Sequence, residues 1–144
     1  MKIAIGNDQH GLEFKNLIVN TFPEHEFVDV GTNDTSPANY PDYAKEVATL
    51  VASGECDRGI LCCGTGIGMA IAANKVKGCY AAVCHDVYST ERSILSNNSN
   101  VLCMGALVIG KKTCETLVKL WLSLEFDEKS ASAQKVALIK AMEE

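Results

Sequence analysis

The stretch that most limits how this chain can fold is Cys62-Cys63-Gly64-Thr65-Gly66-Ile67-Gly68, with an apolar run on either side. The run before it, Gly59-Ile60-Leu61-Cys62, reads as a buried strand. The small-residue run after it, Met69 to Lys75, reads as a helix. Glycines at 64, 66 and 68 let the backbone between them turn sharply and adopt positive φ. Successive amides of such a turn converge on one anion, and the helix N-terminus behind them adds to the pull. A thiol at the lip of the turn has its ionised form favoured by the same groups.

The same strand-turn-helix pattern repeats along the chain, which implies an α/β fold on a mainly parallel sheet. Five strands are expected: Lys2–Ile5, Glu26–Val30, Arg58–Cys62, Cys79–Cys84 and Val101–Met104. Helical spacing follows the first strand until Pro23. It returns from Asn39 to about Ala52, from Tyr88 to about Leu95, and over Lys111–Leu124. A last helical pattern, Ser130–Glu144, has no strand after it and is expected to reach toward a partner subunit. With no linker or repeat, 1-144 is expected to be one domain.

Composition removes several function classes. The chain of 144 residues carries a formal charge of −5, which argues against nucleic acid or an acidic membrane surface as a partner. No apolar run approaches the ~20 residues of a membrane span, and the N-terminus reads directly as a strand rather than a leader. The seven cysteines include no CxxC pair, which weakens zinc and thioredoxin-like readings. Thiols without a framework suit a reducing cytoplasm.

Ligands of open parallel sheets sit beyond the carboxyl ends of the strands. Asp8, His10, Tyr43, Cys63, Thr65 and His85 all fall in turns there and are expected to share one crevice. Cys63 and Cys62 should face opposite sides of the sheet. Cys63 is read as functional and Cys62 as core; the plain alternative for Cys63 is a small residue tolerated in a tight turn. Asp8 either caps the first helix or binds sugar hydroxyls. Each histidine is either a surface residue or an acid–base group, and Tyr40 and Tyr43, on either side of Pro41 and Asp42, either pack or position a ligand. The glycine turn holds a phosphate or an oxyanion, or is purely structural. Met69 stands where a dinucleotide fingerprint ends in glycine, and no Gly-Lys-Ser/Thr follows, so a nucleotide site is disfavoured.

Several of these motifs occur together and in order: Ile5-Gly6-x-Asp8-x-x-Gly11-x-x-x-Lys15, Val30-Gly31-Thr32, Asn39-Tyr40-Pro41-Asp42-Tyr43-Ala44, Gly54-Glu55-x-Asp57-x-Gly59-Ile60, Cys63 to Gly68, Ala72-Ala73-Asn74-Lys75 and Asn97-x-x-Asn100-Val101-Leu102. In them the chain resembles the ribose-5-phosphate isomerase B family, which includes the galactose-6-phosphate isomerase subunits. The resemblance covers nearly the whole length. It implies a three-layer α/β/α sandwich with a five-stranded parallel, Rossmann-like sheet, assembled as a homodimer or a pair of dimers with sites built from two subunits. It implies aldose–ketose isomerisation of a sugar phosphate through an enediolate, with no metal or organic cofactor. Ribose 5-phosphate to ribulose 5-phosphate is the first expectation for the reaction.

By resemblance, Cys63 is the base that moves a proton between C1 and C2. The amides of Gly64, Gly66 and Gly68 hold the enediolate oxygens. Thr65 passes a proton between oxygens, Asn97 stabilises the intermediate, and Asp8 and Tyr43 contact substrate. Three departures stand out. Gln9 replaces a phosphate-binding histidine, with His10 displaced by one. Ser96 replaces the histidine that opens the sugar ring. Two tail arginines that grip phosphate are missing, with Lys135 at one position and Ala131 near the other. His10 or His85 is expected to assist ring opening, and Lys135 with His10 to contact phosphate. An acyclic or short sugar phosphate would need no ring opener. Other readings are a subunit of a mixed galactose-6-phosphate isomerase assembly, a non-catalytic sugar-binding paralogue, and a thiol redox protein.

Overall fold

Long apolar runs with little alternation make strands that are covered on both faces, as a parallel sheet between helix layers requires. In the structure, a computed structural model that describes residues 1–143, five strands form one sheet with every neighbouring pair parallel. They are β1 (Lys2–Asn7), β2 (Glu26–Asp29), β3 (Arg58–Cys63), β4 (Ala81–Val83) and β5 (Val101–Gly105), in the spatial order β2-β1-β3-β5-β4. The helices are α1 (Leu12–Thr21), α2 (Tyr40–Ala52), α3 (Ile67–Ala73), α4 (Val87–Leu95), α5 (Lys111–Ser123) and α6 (Ala133–Ala141). A single 3₁₀ turn, Gln9–Gly11, joins β1 to α1.

Alternation along the strands divides the core in two. Ile3, Ile5, Ile60, Cys62, Leu102 and Met104 meet α1, α5 and Ile94 of α4, with the fully buried Trp121 at the centre of that layer. Ala4, Leu61, Cys63, Val101 and Cys103 meet α2 and α3 on the other face. The adjacent cysteines 62 and 63 therefore belong to different layers, as strand geometry demands.

The fourth strand and the last helix differ most from the sequence expectation, other ends moving by one or two residues. The fourth strand is shorter than Cys79–Cys84, because asparagine side chains take over the pairing at its start. Asn100 accepts the Tyr80 N–H and Asn74 brackets both the N–H and the carbonyl of Ala81. The last helix begins only at Ala133, since a turn closed by Ser130 N–H on the Asp127 carbonyl precedes it. Its expected final residue, Glu144, lies outside the described residues. No described helix is long and apolar enough to cross a membrane.

One buried charge fixes the loop that leads toward the site. Lys15 is 1% exposed, and its Nζ donates to the Thr32 carbonyl and Asn33 Oδ1, both at 2.7 Å, with Asp29 at 3.2 Å. A buried ammonium is tolerated only when so fully partnered. Lys15→Met should lower unfolding stability by about 3 kcal/mol, measured by urea denaturation. Hydrogen exchange should show the released protection concentrated in residues 30–39.

Candidate active site

The carboxyl end of β3 places Cys63 at the floor of a cleft of about 310 Å³, walled by Asp8, His10, Tyr40, Gly64, Thr65, Gly68 and Leu107. Cys63 is 5% exposed, and its Sγ accepts the Gly66 N–H at 3.0 Å. Gly66 makes this contact with φ +79, left-handed backbone that a side chain would strain, and caps α3 in the same conformation. The loop presses on the end of β5. A Cβ on Gly105 would come within 2.6 Å of Thr65 Cα. Ala106 and Leu107 donate their N–H groups to the carbonyls of Cys63 and Gly64.

Main-chain donors remain available around the sulfur. Among the described residues, the amides of Gly64, Thr65 and Gly68 find no acceptor outside regular secondary structure. The first turn of a helix leaves its N–H groups without intrahelical partners in any case. Thr65 Oγ1 accepts from Ile67 N–H, which points the hydroxyl back over the α3 N-terminus and leaves its own proton to donate. Asp8 takes the capping place expected of it, its Oδ1 accepting from the amides of His10 and Gly11, and the residue also lines the cleft. The His10 ring lies over Gly64, and the Tyr40 ring lies over Gly68.

The remaining six thiols are buried. Burial raises all six: Cys79 and Cys114 are pushed up to about 12, Cys62 and Cys103 well above the usual thiol range, and Cys56 and Cys84 less far. They are packing residues, and a protein-wide thiol chemistry has no support from them. No cluster of three or more His, Cys, Asp or Glu suited to a metal occurs among the described residues.

A strand-end cysteine over a cradle of amides, with an aspartate, a threonine and a histidine around it, suits proton transfer next to a carbonyl. Comparison with known proteins agrees. Residues 3–139 match the Ribose/Galactose Isomerase family. The chain belongs to that family. It is 50% identical to D-erythrulose-4-phosphate isomerase 2 of Mycolicibacterium smegmatis, over 99% of this chain and 97% of the relative. It is 44% identical to ribose-5-P isomerase B of Listeria innocua, over 100% and 98%. The solved structure of Clostridium thermocellum ribose-5-phosphate isomerase B superposes with a TM-score of 0.95 at 41% identity, covering 99% of this chain and 97% of that one. The protein is an aldose–ketose isomerase of this family.

The isomerase does not bring every expected residue to the cleft. Tyr43 packs half-buried against the α2–α3 core layer, and Tyr40, one helical turn earlier, supplies the aromatic wall. Sequence reasoning placed both tyrosines near the site but could not tell which face of α2 the sheet would cover. Leu107, also in the wall, was missed; only its place two residues after the fifth strand could have flagged it. Gln9 turns away, its Oε1 accepting the Ala38 N–H. Ser96 and Asn97 lie at the opposite edge of the sheet, where β5 begins, and Asn97 instead lines a second cavity of about 480 Å³ beside β4. Cys63 pairs with Gly105 and Gly59 with Val101, so four strand residues, ~13 Å, separate the two edges. Lys135 stands exposed on α6, whose far end is tied to Gly78 and Tyr80 by the Glu143 carboxylate.

His85, expected as an acid–base group, is a strut. Its Nε2 accepts the Gly105 N–H at 2.8 Å, which leaves its proton on Nδ1 and holds the β5 end against the active loop. Burial keeps His85 below its ordinary 6.5, against the opposing pull of Asp86. A histidine so depressed adds stability that is fully present above about 6.5 and is lost as pH falls through and below that value, because the unfolded chain takes the proton first. Melting temperature followed from pH 7.5 to 5 should fall more steeply for the native chain than for His85→Gln. Parallel curves would show that the imidazole does not carry the contact.

Proposed function

We propose that this isomerase interconverts a four-carbon ketose phosphate and its aldose, D-erythrulose 4-phosphate and D-erythrose 4-phosphate, with Cys63 as the base. The observation that carries the substrate is Ser96, which stands where the resemblance places a ring-opening histidine. Its hydroxyl accepts from Arg92 Nη1 at 3.2 Å, and a serine has no ionisation near neutral pH with which to replace an imidazole in ring opening. Ribose 5-phosphate closes into a furanose through O4 and must be opened before its carbonyl exists. A tetrose 4-phosphate has O4 esterified, cannot close that ring, and needs no opener. The name of the 50% identical Mycolicibacterium smegmatis relative supports the same substrate.

The chemistry follows from the cleft. The Cys63 thiolate takes a proton from C1 of the ketose and returns it to C2, through an enediolate whose two oxygens share the developing charge. The free amides of Gly64, Thr65 and Gly68 face that charge at the α3 N-terminus, where fixed dipoles need no rearrangement as it develops. Thr65 Oγ1, held by the Ile67 N–H, relays a proton between the two oxygens. Asp8 orients a substrate hydroxyl, and His10 approaches the cleft mouth as a phosphate contact. Asn97 and Lys135 join from a second copy of the chain, since the sheet keeps Asn97 and Cys63 of one copy apart. Exposed apolar side chains at Ile67, Ile71, Leu107 and Val108, close to the cleft, are consistent with such a partner.

Ribose 5-phosphate is the second reading, favoured by the name of the Listeria innocua relative. Steady-state kinetics separate the two. The purified chain should show kcat/KM at least ~100-fold higher for D-erythrulose 4-phosphate than for ribose 5-phosphate, the scale of one missing acid–base group. Equal or reversed values would exclude the tetrose assignment. Cys63→Ala should lose ~10³-fold in kcat with either substrate and stop deuterium uptake from solvent at C1, while its melting temperature stays within a few degrees. Activity retained in that variant would remove Cys63 as the base.

A further inference from the structure

A substrate phosphate needs a cation, and the wall of the Cys63 cleft contains no lysine or arginine. The sequence has two arginines. Arg58 is spent: its two terminal nitrogens donate to the carbonyls of Trp121 and Leu124 at the end of α5, and its guanidinium lies over the Trp121 ring. Arg92 is not. It stands on α4 in the wall of the cavity that also holds Asn97. Its Nη1 donates to Ser96 Oγ, and its Nη2 meets Glu91 at 3.3 Å in a half-exposed pair. Its Nε is buried without a partner among the described residues. An unsatisfied buried N–H on a guanidinium whose other contacts are weak is a group waiting for an acceptor.

We infer that Arg92 is a phosphate-binding residue of this enzyme beside His10, acting on substrate held in the Cys63 cleft of a second copy. The inference rests on the reading that Asn97 serves that cleft, because Arg92 shares its cavity and lies one helical turn before Ser96. It also gives the exchange at position 96 a chemical sense. The O4 that closes the ring of a furanose is the oxygen that carries phosphorus in a tetrose 4-phosphate. A group facing O4 meets a ring oxygen in one substrate and a phosphate ester in the other. Ser96 and Arg92 together present a hydroxyl and a planar cation at that point, which is anion recognition in place of proton transfer. The guanidinium fork is already held by Ser96, so little side-chain freedom is lost on binding.

The decisive probe is erythritol 4-phosphate, which has no carbonyl and cannot be turned over, compared with unphosphorylated erythritol by calorimetry. Arg92→Gln keeps the stem and a donor toward Ser96, and should bind erythritol 4-phosphate ~10 to 100-fold more weakly than the native enzyme. Arg92→Lys should fall between, and binding of erythritol should be the same in all three. Unchanged phosphate binding in Arg92→Gln, or equal loss for both probes, would overturn the assignment. Ribitol 5-phosphate and ribitol, run in parallel, separate the two readings: a loss confined to the five-carbon phosphate would keep Arg92 and exclude the tetrose assignment.

Mixing tests the reach across copies. Cys63→Ala and Arg92→Gln chains, unfolded together and refolded, form hybrids in which one site regains both native residues. A 1:1 mixture, assayed at substrate well below KM, should recover about a quarter of native activity if the pairing is symmetric. No recovery above the separate variants would show that Arg92 does not serve the other copy's cleft.

Discussion

The cleft depends on how closely the loop after β3 lies against the end of β5. Glycine at 105 lets the Thr65 backbone approach to a distance no Cβ would allow. Two amides from the 106–107 turn fasten onto the carbonyls of Cys63 and Gly64. His85 reaches from the neighbouring strand end and takes the Gly105 N–H. With the carbonyls of Cys63 and Gly64 occupied on the sheet side, the amides of Gly64, Thr65 and Gly68 are left for the cleft. The donors lining the cleft are thus amides of a backbone whose carbonyls at 63 and 64 are paired on the sheet side, which is how a protein holds donors toward charge without letting them collapse onto it.

Much of this was legible from local pattern. Adjacent cysteines at 62 and 63 must face apart on any strand, and the structure assigns them to separate core layers. Three alternating glycines before a small-residue helix read as a tight turn, and the structure has one there. The five strands were visible as apolar runs. Their spatial order was not, because it depends on which helices cover which face, and no local pattern encodes that. The same limit explains Tyr43 and Tyr40, three residues apart on α2, of which only packing decides the one that meets the cleft. His85 and Gln9 looked like polar groups at strand ends, free for chemistry. Each is committed to a backbone amide from a distant segment, Gly105 and Ala38. A partner remote in sequence leaves no trace beside the residue it engages.

The departures from the family pattern are linked rather than scattered. Gln9 gives up anion binding to secure the loop that Lys15 also anchors, and His10 takes the exposed place at the cleft. Ser96, where the resemblance places a proton-transferring histidine, is an acceptor for a guanidinium one turn away. Under the tetrose proposal these exchanges are coherent, since a substrate that cannot close a furanose needs no ring opener.

All the strand pairs are parallel, and this bears on when the cleft can come into being. Ile3 has no neighbour on β3 until Arg58 has been made, and Ile60 none on β5 until Leu102 follows. No hairpin offers an early, local start. The Cys63 sulfur is therefore synthesised well before the strand that frames it, and an emerging chain carries a bare thiol on an unsupported glycine turn until Gly105 arrives to seat it.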